Sequence, residues 1–280
     1  MISIKNPSQI EKMRRAGALL HDVLMYLRSQ VRPGISTLEL DAMAEKMMRE
    51  HNAIPSCKGY EGFPYTLCTS INSEIVHGFP SKRRLEEGDI LSIDTCLILD
   101  GWQSDSAITV PVGRISAEAQ RLIDLTEECF WKGVRLAVAG NRVGDISSAV
   151  ETCAKSYGCK PVRALCGHGI GREMHEDPEV PNFGEAGHGP RLREGMVICI
   201  EPMISAGTWQ VKCQSNDWTY EIADGSLSSH YEHTIAINAN GMPELLTYPE
   251  FSWETAEFDE RGVPKISQND SQNAEKEEKL

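Results

Sequence analysis

Apolar residues at Ile10, Met13, Leu20, Leu24 and Leu27 recur at helical spacing. That is the period of a helix with one buried face, and it predicts a helix from about Ile10 to Val31. A second helix is expected over Thr37 to His51, opened by Ser36 and Glu39 at capping-box spacing. Strand-like runs follow around Cys68 to Val76, Asp89 to Leu99 and Trp102 to Val110. Helical patterns return at Ala117 to Ala139 and Asp145 to Tyr157. Further strands are expected near Val162 to Cys166, Met196 to Pro202, Tyr220 to Ile222 and Tyr231 to Ile237. Helix pairs alternating with antiparallel strands make the expected fold class α+β.

The pattern also repeats. "LEEGDILSID" (Leu85 to Asp94) and "LREGMVICIE" (Leu192 to Glu201) match at an offset of 107 residues, and each ends in an acid on a strand. Upstream, "PGISTLELDAMAEKM" and "NRVGDISSAVETCAK" match more loosely at nearly the same offset. A repeat this long is no solenoid period. It predicts one domain over residues 1–250 made of two pseudo-symmetric halves, about 10–112 and 113–248. Residues 251–280 are polar and acid-rich, and are expected to form a solvated, poorly ordered tail.

Within the stretch "ILSIDTCLILDGWQSDSAI", Asp100-Gly101 reads as a two-residue hairpin turn. Leu99 then faces Trp102 and Asp94 faces Ala107, so Asp94 and Asp105 share one face as diagonal neighbours. Such positions are roughly 7–8 Å apart at the backbone. Two acids that close repel unless one takes a proton or a cation lies between them. If Asp94 and Glu201 are symmetry equivalents, the strand after Glu201 should also carry an acid. Glu232 in "SHYEHTIAI" does, on the face of Thr234 and Ala236. Four carboxylates near one axis suit a pair of divalent ions about 3.5–4 Å apart.

Composition narrows the classes. A net charge of −13 argues against binding nucleic acid or an anionic membrane. No apolar run reaches the roughly 20 residues of a membrane helix, and the start lacks a signal-peptide core. Nine scattered cysteines suit reduced thiols, so a cytoplasmic location is expected. Neither an H-E-x-x-H zinc motif nor a phosphate loop occurs. In "CGHGIGREMHEDP", His168 lies between two glycines after an apolar strand and is a candidate metal ligand, with His175 seven residues on. His51, His188 and His233 read as ordinary structural histidines.

Asp94, Asp105, His168, Glu201 and Glu232, in that order and with the aspartates eleven positions apart, resemble the dinuclear site of the "pita-bread" metallopeptidases. Within that superfamily the blocks "SINSEIVHGFP", "GDILSIDTCLILDGWQSDSA", "GHGIGREMHEDP", "IEPM" and "LSSHYEHTI" are similar to those of the type I methionine aminopeptidases, from Ile10 to about Tyr248. The resemblance implies a pita-bread fold, with helices on the outer face of an antiparallel sheet. It implies two divalent ions (cobalt, manganese, iron or zinc) on those five residues and removal of initiator methionine when the second residue is small. Glu201 would be the general base, His175 would assist the oxyanion, and His77 would contact the scissile amide. Cys57, Tyr60, Phe63, Cys68, Met174 and Trp218 would receive the methionine side chain. The expected partners are N-termini of nascent chains, with contact to the ribosome open, and the expected state is a monomer.

Three positions depart from the family pattern: Cys96 where threonine is usual, His230 where glutamine is frequent, and Met174 where an aromatic is frequent. The nearest rivals are the proline-directed relatives. They generally carry an extra N-terminal domain and a histidine four residues before the ligand histidine, where this chain has Ala164. The type II enzymes insert a helical subdomain between ligands that here are only 33 residues apart, His168 to Glu201. A non-catalytic relative would be expected to have lost ligands, and all five are present.

Overall fold

Asn6 starts the first helix by accepting the amide of Gln9, while the Gln9 side chain accepts the amide of Asn6. Two donors of the first turn that would otherwise be orphaned are thereby satisfied. A computed structural model of the chain describes residues 1–239 and 241–265. Its helices α1 (Pro7–Gln30) and α2 (Thr37–Glu50) lie close to their predicted spans, with Ser36 and Glu39 forming the expected capping box. In chain order follow β1 (Ile54–Pro55), β2 (Cys68–Ile71), β3 (Glu74–Val76), β4 (Ile90–Leu99) and β5 (Trp102–Pro111). Then come α3 (Ala117–Val134), α4 (Val143–Ser156), β6 (Lys160–Pro161), β7 (Cys166–Gly169), β8 (Glu176–Pro181) and β9 (Val197–Ile200). The last are β10 (Met203–Ser205), β11 (Val211–Cys213), β12 (Tyr220–Ile222), β13 (Ser228–His230), β14 (Glu232–Ala236) and β15 (Glu244–Leu245).

The main sheet is antiparallel and runs β1-β4-β5-β14-β9-β7-β8, with β2 beside β4 and β15 beside β14. β5 against β14 is the seam. On either side of it lie β4 and β9, the two strands that carry the repeated motif, so the order mirrors itself as the repeat predicted. Strand alternation then divides the sheet into two faces. Leu91, Ile93, Leu97, Ile108 and Val110 meet Leu20, Leu24 and Leu27 of α1 and Leu40 and Met48 of α2. In the second half Ile198, Ile200 and Ile235 meet Phe130, Trp131 and Val134 of α3. The fold class is α+β, as expected, and the residues between those apolar positions point the other way.

Three expectations need correction. The strand over Cys68 to Val76 is two strands, because Asn72 turns the chain at φ 58°, a conformation asparagine tolerates. β2 stays on β4 while β3 leaves to pair with β12. The strand expected at Val162 to Cys166 is likewise a crossing between sheets. β6 pairs with β10 and β7 joins β9, which puts His168 inside a strand rather than after one. Lastly, residues 251–265 are not a loose tail. Phe251 and Trp253 pack on Trp131, Val263 is buried, and the Arg135 guanidinium lies 4.3 Å from the Phe258 ring centre. Aromatic burial outweighs the polar average of that stretch. Residues 266–280 fall outside the described residues.

Candidate active site

The hairpin fixes the first two acids. Asp100 at φ 51° and Gly101 at φ 74° form the positive-φ turn that two-residue hairpins need. The ladder behind it pairs Leu99 with Trp102, Cys96 with Asp105 and Asp94 with Ala107. Asp94 and Asp105 therefore share the face turned away from the helices. Glu232 is the first residue of β14 and stands beside Ala107 across the seam. Glu201 follows the last residue of β9. His168 enters from β7, whose glycines permit close packing: a Cβ at Gly167 would lie 2.4 Å from the Cys199 carbonyl oxygen. Those glycines let the neighbouring backbone come close.

All five side chains converge. His168 Nε2 lies 3.7 Å from Asp105 and 3.8 Å from Glu201. Donor atoms of Asp105, His168, Cys199 and Glu232 lie within 4.8 Å of one another, and so do those of Glu201, His230 and Glu232. Asp94 lies beside them on the same face, as the diagonal neighbour of Asp105 across the hairpin. The His168 Nδ1 is 2.9 Å from the Gly169 carbonyl oxygen, which can only accept, so the proton sits there and the Nε2 lone pair faces the acids. Cys199 and Asn182 were not anticipated. Asn182 donates to the Glu201 carbonyl oxygen at 2.9 Å. The signal for Cys199 was available, since it lies two residues before Glu201 and hence on the same strand face.

Without a cation this cluster is under electrostatic stress. Burial pushes the Glu201 carboxyl well above the carboxylate range. Burial, then Asp105, does the same to Asp94, and burial, then Asp105 and Glu201, to Glu232. Asp105 rises to about 7, chiefly through burial. Asp105 Oδ1, Glu232 Oε1 and both His230 nitrogens are buried with no hydrogen-bond partner. Buried, unpartnered oxygen and imidazole donors facing one another form the donor set of a divalent cation, and the residues fit such a group.

Beside the cluster lies the second predicted set. Cys57, Phe63, Cys68 and Met174 are buried together with Cys96, and Tyr60, Trp218, Tyr65 and Phe79 pack around them. Tyr65 and Phe79 had not been singled out. The Cys96 amide donates to Cys57 Sγ at 3.2 Å, and the Phe63 and Trp218 rings meet edge-on at 5.1 Å. Two register pairs join the sets, Cys68 with Asp94 and Cys96 with Asp105. His175 stands between them. Its ring centre is 4.4 Å from that of His168, and its Nδ1 is 2.8 Å from the Tyr60 hydroxyl. His77 packs edge-on to Trp218 and Tyr220, and desolvation, then His230 and His175, lowers it to about 4. A separate surface groove of about 630 Å³, lined by Met1, Val143, Phe183 and His188 among others, contains none of these residues and is not the site.

Known proteins are similar to this chain in sequence and in fold. A methionine aminopeptidase of Clostridium acetobutylicum is 54% identical over 248 residues, 88% of this chain and 99% of the relative. The crystal structure of methionine aminopeptidase from Rickettsia prowazekii superposes with a TM-score of 0.87 at 38% identity, covering 88% of this chain and all of that one. A prolidase from Pyrococcus furiosus shares the fold at a TM-score of 0.71 and 25% identity, but this chain covers only 66% of it. The model of metallopeptidase family M24 matches residues 11–239, the span that holds every residue of the cluster, and the chain belongs to that family.

Proposed function

We propose that the chain is a metal-dependent aminopeptidase that removes an N-terminal methionine when the next residue is small. The observation that carries this reading is the junction of two sets: a buried acid and imidazole cluster sharing strand pairs with a sulfur- and aromatic-lined wall. A flexible, polarisable thioether suits such a wall. Relatives that carry the name methionine aminopeptidase support the choice over the proline-directed branch.

Asp94, Asp105, His168, Glu201 and Glu232 would hold two divalent ions, which when bound lower the pKa of a water and polarise the scissile carbonyl. The protein's own groups do the rest. Glu201 faces the cluster and takes the proton of the attacking water. Tyr60, donating to His175 Nδ1, leaves the proton on Nε2, where it stabilises the oxyanion. His77, kept neutral by its surroundings, contacts the scissile amide. Phe63, Trp218 and Met174 grip the methionine side chain and exclude water from it. Substrates of this kind are free N-termini of new polypeptides. A cytoplasmic location fits the nine scattered cysteines, and among the described residues no helix is long and apolar enough to cross a membrane; the enzyme would act as a monomer.

The test is turnover of Met-Ala-Ser, Met-Leu-Ser and Ala-Pro peptides by protein stripped with a chelator and then reloaded. Hydrolysis of Met-Ala-Ser that needs metal, with little for the other two, is expected. Cleavage of Ala-Pro in preference would move the chain to the proline-directed branch, and metal-independent cleavage would remove the mechanism.

A further inference from the structure

Two histidines flank Glu232 and are in opposite states. His233 is a satisfied core residue, with Nδ1 2.8 Å from Thr247 Oγ1 and Nε2 3.0 Å from the Tyr231 hydroxyl. His230 is 1% exposed, yet neither of its nitrogens has a hydrogen-bond partner. A buried polar group left so is rare and costly. Its Nε2 lies 3.5 Å from Glu201 Oε2 and 3.8 Å from Glu232 Oε2. Those separations are long for hydrogen bonds. Two donors bonded at about 2.0–2.2 Å to one ion stand roughly 3–4 Å apart, which is the spacing found here.

The backbone holds His230 in this place. Its amide donates to Thr109 Oγ1 at 3.0 Å and its carbonyl accepts from the same hydroxyl at 2.8 Å. With the Thr109 proton committed, Ser92 must donate to Thr109 Oγ1, at 2.8 Å. On its other side His230 pairs with Met203 across β10. Donor atoms fall into two overlapping groups, Asp105, His168, Cys199 and Glu232 in one and Glu201, His230 and Glu232 in the other, with Glu201 also 3.8 Å from His168. Glu232 belongs to both, and each group has one imidazole.

We propose that His230 is itself a metal ligand, giving the second ion an imidazole of its own beside Glu201 and Glu232. The site then has two nitrogen donors where the five-residue set supplies one. Added imidazole favours zinc, cobalt or nickel over manganese, which prefers oxygen. The inference rests on the metal centre of the proposed function and adds one ligand and a metal preference to it.

The experiment compares metal-free wild type, His230→Gln and His168→Ala by calorimetric titration with zinc and with manganese, and by X-ray absorption of the zinc-loaded proteins. His230→Gln should lose about tenfold or more in zinc affinity at one of two sites, with a much smaller loss for manganese. Zinc-loaded wild type should show the scattering of two imidazoles per two zincs, falling to one in His230→Gln. Wild type with one imidazole per two zincs overturns the assignment however well the variant folds. If His168→Ala loses metal while His230→Gln matches wild type in affinity and scattering, the centre stands and His230 is not part of it. If wild type binds no metal, the underlying reading falls too.

Discussion

The two halves place equivalent acids by different means. In the first half, Asp94 and Asp105 sit on one uninterrupted hairpin whose ladder runs through ten register pairs. In the second, Glu201 just past β9 and Glu232 on β14 are separated by β10 to β13; they meet because β14 pairs with β9, and they reach the first half's acids because β14 also pairs with β5. One half builds its part of the site from local pairing, where loop-closure entropy is small. The other must first close a long loop and then dock on its partner. The first half should therefore tolerate damage to its turn, and the second should depend on contacts at the seam.

The largest expected effect is chemical. Glu201→Gln should lower kcat by roughly 10²–10⁴-fold, the range of a positioned acid or base. Because the variant removes a carboxyl whose charged form burial disfavours, its metal-free form should melt no lower than metal-free wild type. Calorimetry with and without a chelator checks this. A variant that melts well below wild type without metal would show that Glu201 supports the fold rather than the reaction.

Next comes the seam. Thr234 Oγ1 accepts the Asp105 amide at 3.1 Å and donates to the Asp105 carbonyl at 2.7 Å, joining an acid of one half to a strand of the other. Thr234→Val leaves both backbone groups buried and unpaired, and should destabilise by roughly 2–3 kcal/mol while also lowering kcat. Denaturant titration and steady-state kinetics would show the two losses together. Stability lost with kcat intact would mean that the seam does not set the site.

A smaller loss is expected at the first half's turn. Gly101→Val forces a β-branched residue into φ 74° and should cost about 1–2 kcal/mol. The ladder behind it should hold Asp94 and Asp105 in place, so kcat should barely move. A large drop in kcat would contradict the local character of this half.

The smallest effect concerns pH and the helix start at Ser36. The hydrogen bonds from the Ser36 side chain, then its amide, hold Glu39 below its ordinary pKa of 4.5. A depressed acid adds stability above its unfolded pKa and loses it as pH falls through the folded one. The difference in Tm between wild type and Glu39→Gln should accordingly be widest near neutrality and close below about pH 4. A difference that does not vary with pH would mean that the carboxylate charge is not what caps α2.

Much of the site was legible because its signals are short-range. The Asp100-Gly101 turn fixes register, register fixes which acids share a face, and the repeat points to Glu201 and Glu232. The aromatic tail from Phe251 to Val263 was misread for the opposite reason. Its composition is polar on average, and the few rings that matter find their partners on α3, more than a hundred residues earlier. The break at Asn72 is a similar case, since an apolar run does not say which of two sheets each half of it will join. Cys199 could have been found from period two alone. The unpartnered state of His230 could not.

What the chain's pattern determined by itself is what alternation and turn chemistry can encode within some twenty residues: the hairpin, the capped helices, the face of each strand, and the presence of two related halves. Tertiary structure decided which strands meet at the seam, which histidine finds partners and which is left facing the acids, and where the wall of sulfur and aromatic side chains stands. The physical reason is distance along the chain. Hydrogen-bonded pairs and side-chain parity act between near neighbours, whereas burial and the crowding of like charges exist only after remote segments have packed.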